Sequence, residues 1–158
     1  MNAARAGEKS PVNVLLVDDD DNHLVLFGLA VGECKCDVRL STATGGEQAI
    51  HYLEGKGIYA DRSMHPLPDV LVLDLKMPRM DGFVFLAWRK ESPAFSMLPV
   101  MIFSGLEDKR EIERALALGV SHFLAKPHNF QGYKEVVQAV WEFGIKHSGS
   151  RGISRSAA

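Results

Sequence analysis

Four apolar runs of this chain each end in a residue able to handle a phosphoryl group. Residues 12–17 lead into Asp18 and Asp19, Val70-Leu71-Val72-Leu73 into Asp74, residues 99–103 into Ser104, and residues 120–125 into Lys126. Three carboxylates sharing one pocket would repel strongly if all were ionised. A hard divalent cation relieves that repulsion, and Mg2+ (or Mn2+) takes such oxygen ligands. Asp19 and Asp74 are expected to bind it directly, Asp18 directly or through water, and the backbone carbonyl of Lys76 could add a further oxygen. A metal beside Asp74 would neutralise incoming phosphoryl oxygens and line up the carboxylate for in-line attack, giving an aspartyl phosphate. Lys126 and Ser104 would contact the remaining oxygens. Each residue taken alone has an ordinary reading: Asp and Ser after strands form turns and caps, and a lysine is commonly a surface charge. The functional reading rests on four suitable groups ending four strands.

For these residues to meet, the runs must be parallel strands. Residues 12–17 read as a first strand, and 21–33 as a helix on the spacing of Leu24, Val25, Phe27, Leu29 and Val31, with Asp20 or Asp21 as cap. A second strand is expected at 36–40 and a helix at 46–54 closed by Gly55. Residues 55–68 form a connection longer than a tight αβ loop, before a third strand at 69–73. A helix at 83–91 stops short of Pro93, a fourth strand covers 99–103, and a helix at 107–118 is closed by Gly119. The fifth strand, 120–125, turns at Lys126-Pro127 into a last helix at 130–145. A cis bond at Pro127 would fix where Lys126 points. Five such βα units predict an α/β fold: a doubly wound five-stranded parallel sheet with helices on both faces, strand order 2-1-3-4-5. In that order the first and third strands are neighbours at the switch point, which brings Asp18, Asp19 and Asp74 together.

A chain of 158 residues with 46% hydrophobic content fits one domain, expected at 11–146, with flexible segments at 1–10 and 147–158. The charge is nearly balanced, 18 basic residues against 20 acidic for a net of −2, which argues against direct nucleic-acid binding. The polar start lacks the apolar run of a signal peptide or membrane span, so residence in the cytoplasm is expected. Cys34 and Cys36 match neither a redox nor a zinc spacing and are expected as two reduced thiols, since neighbours-but-one on a strand face opposite ways. His23, His51, His65, His122, His128 and His147 show no paired metal-ligand spacing and are expected to be structural or solvent-exposed.

Val17-Asp18-Asp19, Leu73-Asp74-Leu75-Lys76-Met77-Pro78, Asp81-Gly82, Phe103-Ser104-Gly105 and Ala125-Lys126-Pro127 occur in the order found in receiver domains of two-component response regulators. Over residues 12–145 the chain resembles that CheY-like family, with its flavodoxin-like fold. The connection with Tyr59-Ala60-Asp61-Arg62 and the last helix look like the single-domain subgroup that includes phytochrome-associated regulators. The resemblance implies Asp74 as phosphoacceptor, Asp18 and Asp19 as magnesium acids, Ser104 as switch hydroxyl, Lys126 as phosphate-contacting lysine and Phe123 as switch aromatic. It implies a signalling phosphoacceptor rather than an enzyme. The expected partners are a sensor histidine kinase or histidine phosphotransfer protein as donor and an unidentified downstream protein, with a homodimer as one route to output. Two residues depart from the commonest pattern. Ser104 stands for a threonine and keeps the hydroxyl, whereas Phe123 stands for a tyrosine and has no hydroxyl to bond. Lys76 occupies a position where the family tunes acyl phosphate hydrolysis. A haloacid dehalogenase-type phosphatase uses similar groups but places its nucleophile early and its acid pair late, the reverse of this chain. A phosphorylation-independent binding module on the same fold is the third reading.

Overall fold

The computed structural model describes residues 10–105 and 108–157. Its elements run β1 (Val12–Val17), α1 (Asp21–Glu33), β2 (Val38–Ala43), α2 (Gly46–Glu54), a 3-10 turn (Gly57–Tyr59), β3 (Val70–Leu73), α3 (Gly82–Glu91), β4 (Val100–Ser104), α4 (Lys109–Ala117), β5 (His122–Ala125) and α5 (Phe130–Ala157). The strands form a 5-stranded sheet in the order β2-β1-β3-β4-β5, with every described pair parallel. Alternate residues along each strand point to opposite faces. Leu15, Val17, Leu71, Leu73, Val100 and Ile102 therefore pack with Ala49, Leu53, Phe85, Leu86 and Ala115 on one side. Val14, Leu16, Val70, Val72, Met101 and Phe103 pack with Phe27, Ala30, Val137 and Val140 on the other. All four residues of β3 are buried, as a central strand covered on both faces requires.

The helix starts are set by local chemistry. Asp20 caps α1 by accepting from the Asn22 N–H, Asp81 caps α3 by accepting from Val84, and Asp108 caps α4 by accepting from Arg110. Gly55 takes the left-handed conformation, φ 69°, that closes α2. The long connection after it is held by Arg62, whose guanidinium donates to the carbonyls of Tyr52 at 2.8 Å and Leu53 at 2.7 Å, the open end of α2. Tyr52 returns the link by donating from its hydroxyl to Pro66 O at 2.9 Å.

Several features differ from the sequence expectations. Strand β2 starts at Val38 rather than 36, so Cys34 and Cys36 lie in the turn before it. The argument from alternating faces does not apply in a turn, and the two cysteines, with Cα atoms 5.1 Å apart, are joined as a disulfide rather than left as thiols. Strand β5 starts at His122, two residues later than expected, after Gly119 turns the chain with φ 89°. Helix α5 continues past 145 to Ala157. No proline interrupts it, and His147, the first residue of the segment expected to be flexible, stacks on Phe143 with ring centroids 4.0 Å apart. No peptide bond is cis among the described residues, so Lys126–Pro127 is trans and Lys126 is oriented by its partners instead. The expected flexible start falls outside the described residues apart from Ser10, as does Glu107 of the expected fourth helix.

Candidate functional site

The register places the site. Val17 pairs with Leu73 across β1 and β3, so Asp18 and Asp74 leave the sheet side by side, their N–H groups donating to Ala43 O at 3.1 Å and Val17 O at 3.0 Å. Ser104 pairs with Ala125 at the ends of β4 and β5, one residue before Lys126. Asp18 is 1% exposed, Asp74 6% and Ser104 5%, whereas Asp19 is exposed. One carboxylate oxygen from each of Asp18, Asp19 and Asp74 lies within 4.8 Å of the other two. Three hard oxygen donors this close together form a set that Mg2+ or Mn2+ suits.

Lys126 reaches across this cluster. Its Nζ lies 2.9 Å from Asp18 Oδ2 and 3.0 Å from Asp74 Oδ2, and 5.9 Å from the centre of the Phe103 ring. Burial alone would lower the pKa of the ammonium; its hydrogen bonds to Asp18 and Asp74 and their charges more than offset this and hold it above the ordinary lysine value. The other oxygen of Asp74, Oδ1, accepts from the Lys76 N–H at 3.1 Å, while the Lys76 side chain is exposed. That bond fixes the carboxylate plane, leaving Oδ2 to the ammonium. Gly82 is required beside it: a Cβ there would lie 2.6 Å from Leu75 Cα and 2.8 Å from Asp74 O.

The structure thus brings together Asp18, Asp19, Asp74 and Lys126. Ser104 ends its strand at the same rim, but its hydroxyl makes no hydrogen bond to Asp74 or Lys126 among the described residues. Phe123 lies on β5, half-buried, against the cluster formed with α2, α3 and α4, in register with Ile102. His23 is the residue that sequence reasoning missed. It is not a bystander: its Nδ1 lies 2.9 Å from Lys126 Nζ and 3.1 Å from Asp18 Oδ2, and its Nε2 lies 3.5 Å from Asp20 Oδ2. A search for paired histidines could not find it. Its position five residues after Asp18, in the first turn of the helix that Asp20 caps, is the signal that could have.

Residues 14–138 match the response regulator receiver domain. The response regulator Rcp1 of Synechocystis is 26% identical over 136 residues, covering 86% of this chain and 90% of that protein. The probable methanogenesis regulatory protein FilR2 of Methanothrix harundinacea is 28% identical over 147 residues, covering 91% and 90%. Among solved structures, the phosphorylated cyanobacterial phytochrome response regulator RcpA superposes with a TM-score of 0.76 at 26% identity, over 86% of this chain and 95% of that one. The Mn2+-bound form of Rcp1 gives 0.70 at 26% identity, over 82% and 91%. The family expected from the motif order is therefore the one found, and the chain belongs to the response regulator receiver domains of two-component signalling.

Proposed function

We propose that the chain accepts a phosphoryl group on Asp74 from the phosphohistidine of a sensor kinase or phosphotransfer protein, and that the modified state changes which protein it binds. The observation that carries this is the contact of Asp74 Oδ2 with Lys126 Nζ at 3.0 Å, where oxygens of Asp18, Asp19 and Asp74 converge within 4.8 Å of one another. An Asp74 oxygen attacks phosphorus; the O–P bond forms as the N–P bond of phosphohistidine breaks, and the departing imidazole takes up a proton. Asp18, Asp19 and Asp74 would hold Mg2+ or Mn2+, with the carbonyl of Lys76 as a further donor, and the metal would supply charge neutralisation on the phosphoryl oxygens. Lys126 orients and neutralises another of these oxygens. The Asp74 side chain is buried on a strand end rather than carried on a loop, so its attacking oxygen is pre-positioned.

The switch runs through Ser104 and Phe123. A phosphoryl group on Asp74 adds acceptor oxygens at the rim where β4 ends, and the Ser104 hydroxyl is the donor that can turn toward them. Phe123, half-buried on the adjacent strand, then repacks toward the space vacated, altering the α4–β5–α5 face. Without a hydroxyl, Phe123 answers by packing alone. The order of the motifs and the family match both weigh against the phosphatase reading.

The test is labelling by acetyl phosphate with Mg2+. Wild-type protein should gain one acid-labile phosphoryl group per chain, and Asp74→Asn none. Undiminished labelling of Asp74→Asn, or continuous turnover of a phosphate monoester, would overturn the reading.

A further inference from the structure

We propose that His23 is a positioning residue for Lys126, supplying the one acceptor of its ammonium that neither a metal nor a phosphoryl group takes over. The proposal rests on the reading of Asp74 as phosphoacceptor and adds a residue to its machinery.

An ammonium has three N–H donors and no acceptor. Three acceptors surround Lys126 Nζ: Asp18 Oδ2 at 2.9 Å, Asp74 Oδ2 at 3.0 Å and His23 Nδ1 at 2.9 Å. Since Lys126 can only donate, Nδ1 of His23 must carry the lone pair. A proton on Nδ1 would set two donors against each other at that distance. The other ring nitrogen, Nε2, lies on the side of Asp20 Oδ2, 3.5 Å away. Nδ1 also lies 3.1 Å from Asp18 Oδ2, and the two acceptors converge on the one ammonium that lies within 2.9 Å of both.

The reaction changes two of the three acceptors. Asp18 would be engaged as a ligand when a divalent ion is held, and transfer to Asp74 would turn its carboxylate into an acyl phosphate whose negative charge sits on the phosphoryl oxygens. His23 is untouched by either change. It is anchored by the first turn of α1, where its own N–H donates to Asp20 O at 3.0 Å, and its side chain is 28% exposed. Holding one N–H of Lys126 leaves the other two to follow the charge from carboxylate to phosphoryl oxygen. Without His23 the lysine head keeps the same charge and loses its fixed point.

The experiment compares wild type, His23→Ala and His23→Gln in acetyl phosphate labelling, alone and in a Lys126→Met background, with Mg2+ affinity measured separately. His23→Ala should raise KM for acetyl phosphate about tenfold, the scale of one hydrogen bond to a charged group, while Mg2+ affinity stays within about twofold. Glutamine offers a neutral acceptor and should restore part of the loss. In the Lys126→Met background, His23→Ala should change nothing further. Nitrogen NMR of the wild-type imidazole should show a bare Nδ1, a readout independent of labelling. An unchanged KM in His23→Ala, an equal loss without Lys126, or a parallel fall in Mg2+ affinity would overturn the proposal. Wild-type protein that takes no label on Asp74 would sink the phosphoacceptor reading, and this one with it; labelled wild type with an indifferent His23→Ala overturns this one alone.

Discussion

Lys126 Nζ lies 3.0 Å from Asp74 Oδ2 although the two residues leave the sheet from β5 and β3, with β4 between them. Two strand spacings are roughly 9.6 Å, so the lysine stem must lie across the end of β4, above Phe103. The same stem brings the ammonium to Asp18 on β1. One side chain thus ties three strands at the rim where they would otherwise present only like charge.

That tie has a pH signature. The Lys126 pKa is raised, with burial working against the rise and the hydrogen bonds and charges of Asp18 and Asp74 outweighing it. A group whose folded pKa is raised contributes stability fully present below its unfolded value, about 10.4, and lost as pH climbs through the folded value. The unfolding free energy of wild type minus that of Lys126→Met should therefore be flat across neutral pH and fall only above about pH 10.4. Urea midpoints taken from neutral to alkaline pH measure it. A difference that falls already near neutrality would mean that the ammonium is not held by these carboxylates.

Divalent ions should stabilise the fold. Asp18, Asp19 and Asp74 bring oxygens within 4.8 Å of one another, and unfolding would scatter them. Mg2+ at a hundred times its dissociation constant should add about 2.7 kcal/mol to the unfolding free energy by mass action, reversed by EDTA. Asp19→Asn should remove most of that gain while leaving the metal-free melting temperature nearly unchanged, because Asp19 is exposed. Equal stabilisation of wild type and Asp19→Asn by Mg2+ would place the ion elsewhere.

Most of this architecture was legible in the sequence because the apolar runs and the capping residues agree. The bounds of β1, α1 and α2 follow from Val12 to Val17, from Asp20 and from Gly55, each a local signal with a local cause. The convergence of Asp18, Asp19, Asp74 and Lys126 follows once the strand order is known, since parallel strands bring their carboxyl ends to one rim. What stayed hidden depends on side-chain reach. His23 becomes part of the site only because the first turn of α1 aims it at a lysine 103 residues away. The disulfide escaped because it depends on a two-residue shift in where β2 begins, and element boundaries are the weakest part of any periodicity argument. Arg62 escaped because a long loop gives no periodic signal of which carbonyls it will satisfy.

Gly82→Ala should damage both stability and labelling. A methyl group there meets the backbone at Leu75 Cα and Asp74 O, neither of which can rotate away, so either α3 must retreat or Asp74 must shift. Overpacking of this kind costs about 1–3 kcal/mol. Because the clash falls on Asp74 itself, the initial labelling rate should fall even at temperatures where the variant is fully folded. Gly32→Ala on α1, where a Cβ meets nothing within 4 Å, is the control and should be neutral or slightly stabilising. A folded Gly82→Ala that labels at the wild-type rate would show that the Asp74 backbone tolerates displacement.

Arg89 is a buried cation, 4% exposed, that pairs with no carboxylate among the described residues. Burial pushes its pKa down, yet a guanidinium starts so high that it stays charged. Its charge is met by carbonyl oxygens: Nε and Nη2 donate to Leu98 O at 2.9 Å and 2.7 Å, and Nη1 to Leu118 O at 3.3 Å. Leu98 O precedes β4, and Leu118 O ends α4, where a helix presents unsatisfied carbonyls and favours positive charge. Lys90 adds a fourth such bond, to Ala117 O at 3.1 Å, but on the exposed side. Arg89→Met would keep the apolar stem and remove every donor, leaving a buried acceptor at Leu98, so it should lower stability by about 1–3 kcal/mol in urea titration. Lys90→Ala should change it by less than about 0.5 kcal/mol, because water can replace an exposed donor. The carboxyl end of α4 is thereby pinned to α3. In Arg89→Met that pin is lost, and amide exchange near the end of α4 should quicken; if it does not, the clamp lies elsewhere than in this guanidinium.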